Sequence, residues 1–145
     1  PGSLYTSLLP NLLVPELVGA IKRSKAPRLY ICNLMTQPGE TDGLDVRGHI
    51  RAIEAQLATL GIEPRLFTAV LAQDDLPESD LVRYYQSRGA DPVRCDAEGL
   101  RSDGYDVTQA PLQGVRPTAT LRHDSRSLAL AVMRFYRTHR RERDQ

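Results

Sequence analysis

Several residue types and patterns are scarce or missing in this chain of 145 residues. It has no Trp and only two Phe, so aliphatic side chains must build most of its core. Its two cysteines, Cys32 and Cys95, form no CxxC pair, which argues against a zinc or redox motif and favours free thiols in a reducing compartment. No apolar run approaches 18 residues, and no signal peptide is visible. We therefore expect a cytoplasmic protein without a membrane partner.

A strong excess of one charge is also missing. The chain has 19 Lys and Arg against 18 Asp and Glu, a net charge of +1. This balance excludes the broad positive field of most nucleic-acid-binding domains. The exception is the segment 134–145, with five Arg against one Glu and one Asp. We interpret it as the solvated end of a helix whose dipole favours cations, with residues 137–145 as a basic, frayed tail. Contact with RNA or a membrane is the alternative.

Helical and strand patterns alternate along the chain. Pro10 and Pro15 divide the first apolar segment into two short helices. Apolar periodicity predicts further helices at about 46–60, 77–87 and 125–140, and strands at about 28–34, 66–72, 92–96 and 105–112, while residues 120–124 lead into the last helix. Such alternation predicts an α/β fold in which helices cover a mostly parallel sheet, and residues 1–145 read as one domain portion. Ligands of such sheets bind where the strands end.

The first candidate site is the N-terminal loop, where small and hydroxyl residues precede a helix. Backbone N–H groups at a helix start favour an anion such as phosphate. The residues in question are Gly2, Ser3, Thr6 and Ser7. Plain capping of the helix is the competing interpretation.

The second candidate is the polar loop 33–43, which follows an apolar strand. Its neutral polar groups suit the hydroxyls or bases of a ligand, and a mere connector does not need so many of them. The groups belong to Asn33, Thr36, Gln37, Glu40, Thr41 and Asp42. The alternative is a turn followed by a helix cap, with Asp42 or Asp45 as the capping residue.

The third candidate is Arg122-His123-Asp124, at a strand end before a helix. Arg122 has the planar, permanently charged fork that binds phosphate, and His123 titrates near neutral pH. Alternatively, Asp124 or Ser125 caps the next helix and Arg122 forms a surface ion pair.

The segment Gln73–Asp75 is a weaker candidate, for a magnesium ion. Two adjacent acids are also typical of a loop that leads into a helix. The sequence contains no Walker A, HExxH or Ser-His-Asp pattern, and its three histidines are widely spaced. It therefore indicates no catalytic residue, metal ligand or cofactor, and magnesium is only a possibility.

Three segments resemble the signatures of one family. Residues 1–15, PGSLYTSLLPNLLVP, resemble the GPGSLYTS-x-x-PNLLV segment of the YvcK/CofD-like proteins, also called gluconeogenesis factors. Residues 30–43, YICNLMTQPGETDG, resemble the next signature of that family, and residues 121–124, LRHD, resemble its C-terminal one. The similarity runs from Pro1 to about Tyr136.

The resemblance implies a Rossmann-like, doubly wound fold. Full-length members begin with a glycine-rich strand, loop and helix, so we expect this chain to be a C-terminal portion without the N-terminal half. The bacterial branch binds UDP-sugars such as UDP-N-acetylglucosamine and supports cell shape and wall synthesis during gluconeogenic growth. A related branch consists of 2-phospho-L-lactate transferases, which are the alternative, and an inactive fragment is the third possibility. Members are often dimeric or larger, which predicts a homo-oligomer for the full-length form.

The resemblance also carries two ligand residues to this chain. They are Arg122 and a Tyr that Tyr84 matches best, although Tyr85 lies beside it. Some relatives have Thr where this chain has Ser125, which makes Ser125 a candidate for regulatory phosphorylation. The predicted ligand-binding set is Gly2, Ser3, Thr6, Ser7, Asn33, Thr36, Gln37, Glu40, Thr41, Tyr84 and Arg122.

Overall fold

The computed structural model describes residues 2–115 and 121–141. Helices and strands alternate from residue 15 to residue 86, as the sequence predicts. The elements are a π-helical turn Leu4–Leu8, α1 Leu9–Leu12, α2 Pro15–Arg23, β1 Leu29–Ile31, α3 Val46–Thr59, β2 Ala69–Gln73, α4 Ser79–Gln86, α5 Ala97–Ser102, β3 Asp106–Ala110, β4 Gln113–Val115, β5 Leu121–His123 and α6 Ser125–Arg141.

The first three strands form a parallel sheet in the order β1-β2-β3. Leu29 pairs with Ala69, which in turn pairs with Asp106. The three carboxyl ends therefore meet at one edge of the sheet, where ligands of α/β proteins bind. The parallel α/β architecture is confirmed.

The sheet is covered on both faces, because successive strand side chains point to opposite sides. Tyr30 and Val70 belong to a core cluster that includes the buried stripe of α3, whereas Leu71 packs in a second cluster with Leu128 and Ala131 of α6. Burying each large aliphatic side chain contributes roughly 1.5–3 kcal/mol. The α3 stripe consists of Val46, His49, Ile50, Ile53 and Leu57.

Local sequence explains where α3 begins and ends. The Asp45 carboxylate accepts a hydrogen bond from the Gly48 N–H at 2.7 Å and so caps the first turn. Gly61 has φ 68°, the left-handed conformation that commonly ends a helix and suits glycine. The predicted boundaries of this helix are confirmed to within a residue.

The predicted strand 92–96 is wrong. Pro92 forms an isolated bridge with Met35, and Asp96 caps α5 by accepting a hydrogen bond from the Gly99 N–H at 2.9 Å. Proline lacks the N–H that a ladder needs, so the segment stays extended without becoming a strand. Helix α5 was not predicted, because Gly99 lies within its six residues and weakens the helical pattern.

Strand β4, which pairs antiparallel with β5, was not predicted either. Helix α6 continues to Arg141, so residues 137–141 of the predicted frayed tail are helical, and 142–145 lie outside the described residues. Tyr136 is exposed rather than part of the inner stripe of α6, where Ala131 and Phe135 are buried.

Within the described segments, no single helix has the length and apolarity to span a membrane. Only the helix pair Leu4–Leu12 and Pro15–Arg23, which is bent by 79°, has that length and apolarity when its two parts are taken together.

Candidate functional site

A cleft of about 610 Å³ opens where β1 ends. It is bordered by the N-terminal loop, the loop after β1, helix α4 and strand β5. Its volume lies within the range of ordinary small-molecule sites, about 300–1,000 Å³. The lining residues are Gly2, Ser3, Asn33, Leu34, Met35, Thr36, Gln37, Tyr85, Leu121, Arg122 and His123.

The N-terminal loop reaches this cleft through Gly2 and Ser3. The Ser3 hydroxyl accepts a hydrogen bond from the Thr6 N–H at 3.1 Å and donates one to the Glu40 carboxylate. A Cβ atom on Gly2 would lie 2.7 Å from the Ser7 Cβ, so the turn needs glycine at this position. Thr6 and Ser7 are exposed and outside the cleft lining, and Ser3 acts at least as the cap of the turn.

In the polar loop after β1, some side chains hold the loop in place and others remain available to bind a ligand. Thr36 is buried, and its hydroxyl accepts a hydrogen bond from the Asp91 N–H at 2.8 Å. Thr41 is also buried, and its hydroxyl accepts one from the Gln37 N–H at 2.8 Å. Within residues 2–115 and 121–141, the Asn33 side-chain amide makes only long contacts, at 3.4 Å to the Gly2 carbonyl and 3.5 Å to the Gln37 side chain. Asn33 and Gln37 are therefore the amides of this loop best placed for a ligand.

The hairpin of β4 and β5 places Arg122 beside the cleft. Arg122 pairs with Gly114, where an added Cβ would lie 3.2 Å from the Asp124 Cβ. The Asp124 carboxylate accepts a hydrogen bond from the Ser127 N–H at 2.8 Å and caps α6, as the capping interpretation predicts. Among the described residues, the exposed Arg122 guanidinium has no hydrogen-bond or ion-pair partner. It is therefore available to an anion.

Tyr85, rather than Tyr84, lines the cleft. The Tyr85 hydroxyl accepts a hydrogen bond from the Leu121 N–H at 2.7 Å, which ties α4 to β5 and leaves its own proton for another acceptor. Tyr84 is 41% exposed, and the Arg88 guanidinium lies 3.9 Å from its ring centroid. Of the two tyrosines, Tyr85 is therefore the one placed to contact a ligand in this cleft.

His123 adds a titratable group to the cleft. Burial lowers the pKa of His123, which favours the neutral ring near pH 7. Its Nε2 atom is buried without a hydrogen-bond partner among the residues that the structure describes. By contrast, burial raises the pKa of Cys32 to about 12, so this nearby thiol stays protonated and is a poor nucleophile.

A second cleft of about 470 Å³ lies along the ends of β2 and β3 and shares Leu34 with the first. Four carboxylates and three Gln amides face it. Asp45 and Asp96 already cap helices, and Asp74 accepts hydrogen bonds from its own loop, so Asp75 is the least engaged carboxylate. Nowhere in residues 2–115 and 121–141 do three His, Cys, Asp or Glu side chains group as a metal site. The further lining residues are Gln73, Leu76, Pro77, Pro92, Val93, Arg94, Cys95, Gln109 and Gln113.

The structure thus brings together part of the predicted set. Gly2, Ser3, Asn33, Thr36, Gln37 and Arg122 line one cleft, Glu40 contacts Ser3, and Thr41 is buried beneath the loop. Thr6, Ser7 and Tyr84 lie outside the lining. Gln113 was not predicted, because its strand lacks an apolar pattern, and Tyr85 and His123 were considered but are not in the predicted ligand-binding set.

The chain is similar to several known proteins. The family model described as 2-phospho-L-lactate transferase CofD matches residues 1–113. The chain is 36% identical over 129 residues to the gluconeogenesis factor of Bacillus subtilis, and 42% identical over 136 residues to a provisional gluconeogenesis factor of a Nostoc species. These alignments cover 89% and 94% of this chain but only 39% and 29% of the relatives, so the chain spans well under half of their length.

A solved structure has a similar fold and sequence. The crystal structure of a UPF0052 family protein from Bacillus halodurans superposes with a TM-score of 0.80 at 37% identity. The superposition covers 90% of this chain and 40% of the crystallised one. Because the CofD family model matches residues 1–113, which are most of the sequence, the chain belongs to the CofD family.

Proposed function

We propose that this chain forms part of a nucleotide-sugar site in a gluconeogenesis factor, with a UDP-sugar such as UDP-N-acetylglucosamine as the ligand. The observation that carries the proposal is the convergence of three distant segments, represented by Ser3, Asn33 and Arg122, on one cleft. Arg122 provides a cation for the diphosphate, and the amides of Asn33 and Gln37 provide groups for hydroxyls or a base. The names of the relatives support the gluconeogenesis factor assignment.

The proposal includes a regulatory role in the cytoplasm, in cell shape and wall synthesis during growth on gluconeogenic carbon sources, with the full-length protein as a homo-oligomer. It also includes phosphorylation of Ser125, which is exposed in the first turn of α6. A phosphate there would lie at a helix N-terminus, near Arg122 and Arg126 in sequence, and would compete with a ligand phosphate for the Arg122 guanidinium.

A second candidate function is 2-phospho-L-lactate transfer, which the description of the matching family model favours. Both functions need a phosphate subsite, so Arg122 serves in either. They differ in the nucleotide, because the transferase branch uses a guanylylated donor.

Calorimetric titration with UDP-N-acetylglucosamine, UDP and GDP tests the proposal. We expect the uridine ligands to bind and GDP to bind at least tenfold more weakly. The longer gluconeogenesis factor of Bacillus subtilis serves as a parallel sample, because it shows whether contacts beyond the shared residues are needed. Binding of GDP alone would favour the transferase function, and formation of a phosphorylated deazaflavin would establish it.

A further inference from the structure

The second cleft contains an unusual polar group. The Gln113 side-chain oxygen Oε1 is buried and has no hydrogen-bond partner among the described residues. Gln113 pairs directly with His123 across the hairpin, and His123 Nε2 is buried and unpartnered as well. Residues directly opposite in an antiparallel pair point to the same side of the sheet. Two unsatisfied polar atoms therefore occur on one side of one strand pair.

Such an arrangement needs a physical explanation. A buried polar atom without a partner costs about 1–3 kcal/mol, and most native buried polar atoms have a partner. Gln113 lines the second cleft and His123 lines the first, and Leu34 lines both. The two partners of this cross-strand pair therefore belong to the walls of two neighbouring clefts, one partner in each wall.

The two clefts have opposite chemistry. The first contains the Arg122 guanidinium and suits an anion. The second contains Gln73, Gln109 and Gln113 together with four carboxylates and one guanidinium. Carboxylates repel phosphate but accept hydrogen bonds from hydroxyl groups. The carbonyl oxygens of the uncharged Gln amides also accept such hydrogen bonds. Leu76 and Pro92 add apolar surface for the carbon face of a ring.

We propose that the second cleft is the subsite for the sugar of a nucleotide-sugar whose diphosphate lies beside Arg122, and that Gln113 Oε1 accepts a hydrogen bond from a sugar hydroxyl or acetamido N–H. This inference rests on the proposed function and assigns the part of the site that selects a sugar over a bare diphosphate. Gln113 has a flexible side chain at the cleft wall, so its amide can turn toward the ligand.

The test compares UDP with UDP-N-acetylglucosamine in the wild type and in Gln113→Met. Methionine has a similar length and removes the unpartnered oxygen, so the variant should be at least as stable to heat as the wild type. We expect the sugar to increase the affinity over UDP in the wild type. Gln113→Met should reduce the affinity for UDP-N-acetylglucosamine about fivefold to tenfold, the effect of one lost hydrogen bond, and leave the affinity for UDP unchanged. Gln56→Met, on α3 outside both clefts, is the matched control and should change neither.

A second measurement is independent of mutation. Leu76 lines only the second cleft, so its methyl resonances should shift on addition of UDP-N-acetylglucosamine and stay in place with UDP. Equal effects of Gln113→Met on both ligands, or unchanged Leu76 resonances with the sugar nucleotide, would refute the sugar subsite while leaving nucleotide binding intact. Failure of the wild type to bind either uridine ligand would instead refute the proposed function, and the subsite with it.

Discussion

At the scale of single residues, the first cleft combines one exposed guanidinium with hydroxyl and amide groups that make few other contacts. Arg122 extends from a two-stranded hairpin and, within the described part of the chain, has no carboxylate partner. Its removal should therefore affect a ligand more than the fold. This separation of binding from stability makes Arg122 the most direct test of the phosphate subsite.

Arg122→Ala should weaken the binding of UDP-N-acetylglucosamine about 10-fold to 100-fold, because a charge-assisted hydrogen bond contributes roughly 1.5–3 kcal/mol. Calorimetric titration measures the affinity, and thermal unfolding should show no loss of stability. Arg134→Ala, at an exposed position of α6, is the matched control and should bind normally. If Arg122→Ala binds with wild-type affinity, the phosphate of the ligand does not bind at this strand.

Substitutions of the two adjacent tyrosines should differ in their effects on stability and on ligand binding. Tyr85→Phe removes the acceptor for the Leu121 N–H, so we expect a loss of about 1–3 kcal/mol in the free energy of unfolding, together with weaker ligand binding. Tyr84→Phe removes a hydroxyl from an exposed ring and should change both quantities little. Urea denaturation and calorimetry of the two variants decide between the residues. The opposite ranking would restore Tyr84 as the ligand residue.

At the scale of elements, the N-terminal turn depends on a close backbone approach. Gly2→Ala places a methyl group where the Ser7 side chain lies, so the turn must shift and Gly2 and Ser3, which line the cleft, shift with it. We expect weaker nucleotide binding and a change in the amide resonances of residues 3–8. The double variant Gly2→Ala/Ser7→Gly removes the clash and should recover most of the affinity. Absence of rescue would show that the collision is not the cause.

Most elements could be predicted from the sequence, because long apolar patterns dominate them. Helix α3 and strand β2 have strong periodicity or a continuous apolar run, and both were predicted correctly. The failures are short elements. Strand β4, QGV, has three residues and no alternation, and α5 owes its existence to the Asp96 cap and its contact with the sheet. Both elements depend on tertiary contacts, which no local sequence pattern indicates.

The candidate site was predictable only in part, for a similar reason. Asn33 was identified by its place after a strand, since topology alone brings strand ends together, whereas Ser3 was identified at a helix start and Arg122 at a strand end before a helix. The orientation of Tyr85 relative to Tyr84 depends on the exact rotation of α4, and a one-residue change moves the side chain by 100°. Gln113 depends on its pairing with His123, which the sequence does not specify.

At the scale of the whole molecule, histidine burial couples folding to pH. His49 is fully buried on α3, and burial lowers its pKa. The folded chain therefore binds fewer protons than the unfolded chain at pH values between the lowered pKa and the ordinary value of about 6.5. The free energy of unfolding should consequently fall as pH falls below about 6.5, by at most about 1.4 kcal/mol per pH unit for this group.

Urea denaturation between pH 7.5 and 5.5 measures this slope. His49→Met should reduce it, whatever the variant does to stability at pH 7.5. Burial lowers the pKa of His123 as well, so His123→Asn should remove a second contribution of the same sign. An unchanged slope in His49→Met would mean that this side chain stays neutral in the unfolded chain too, or titrates equally in both states.

The parallel register of the sheet also sets the order of events during folding. Leu29 must meet Ala69, and Ala69 must meet Asp106, so each pairing closes a loop of about forty residues before it gains contact energy. Such non-local contacts slow folding relative to a helical bundle of equal length. The β4–β5 hairpin packs on this sheet through Leu121, so Arg122 reaches the cleft only after the sheet exists. Nucleotide binding should therefore be the last property that refolding chains recover, later than their helical circular dichroism signal.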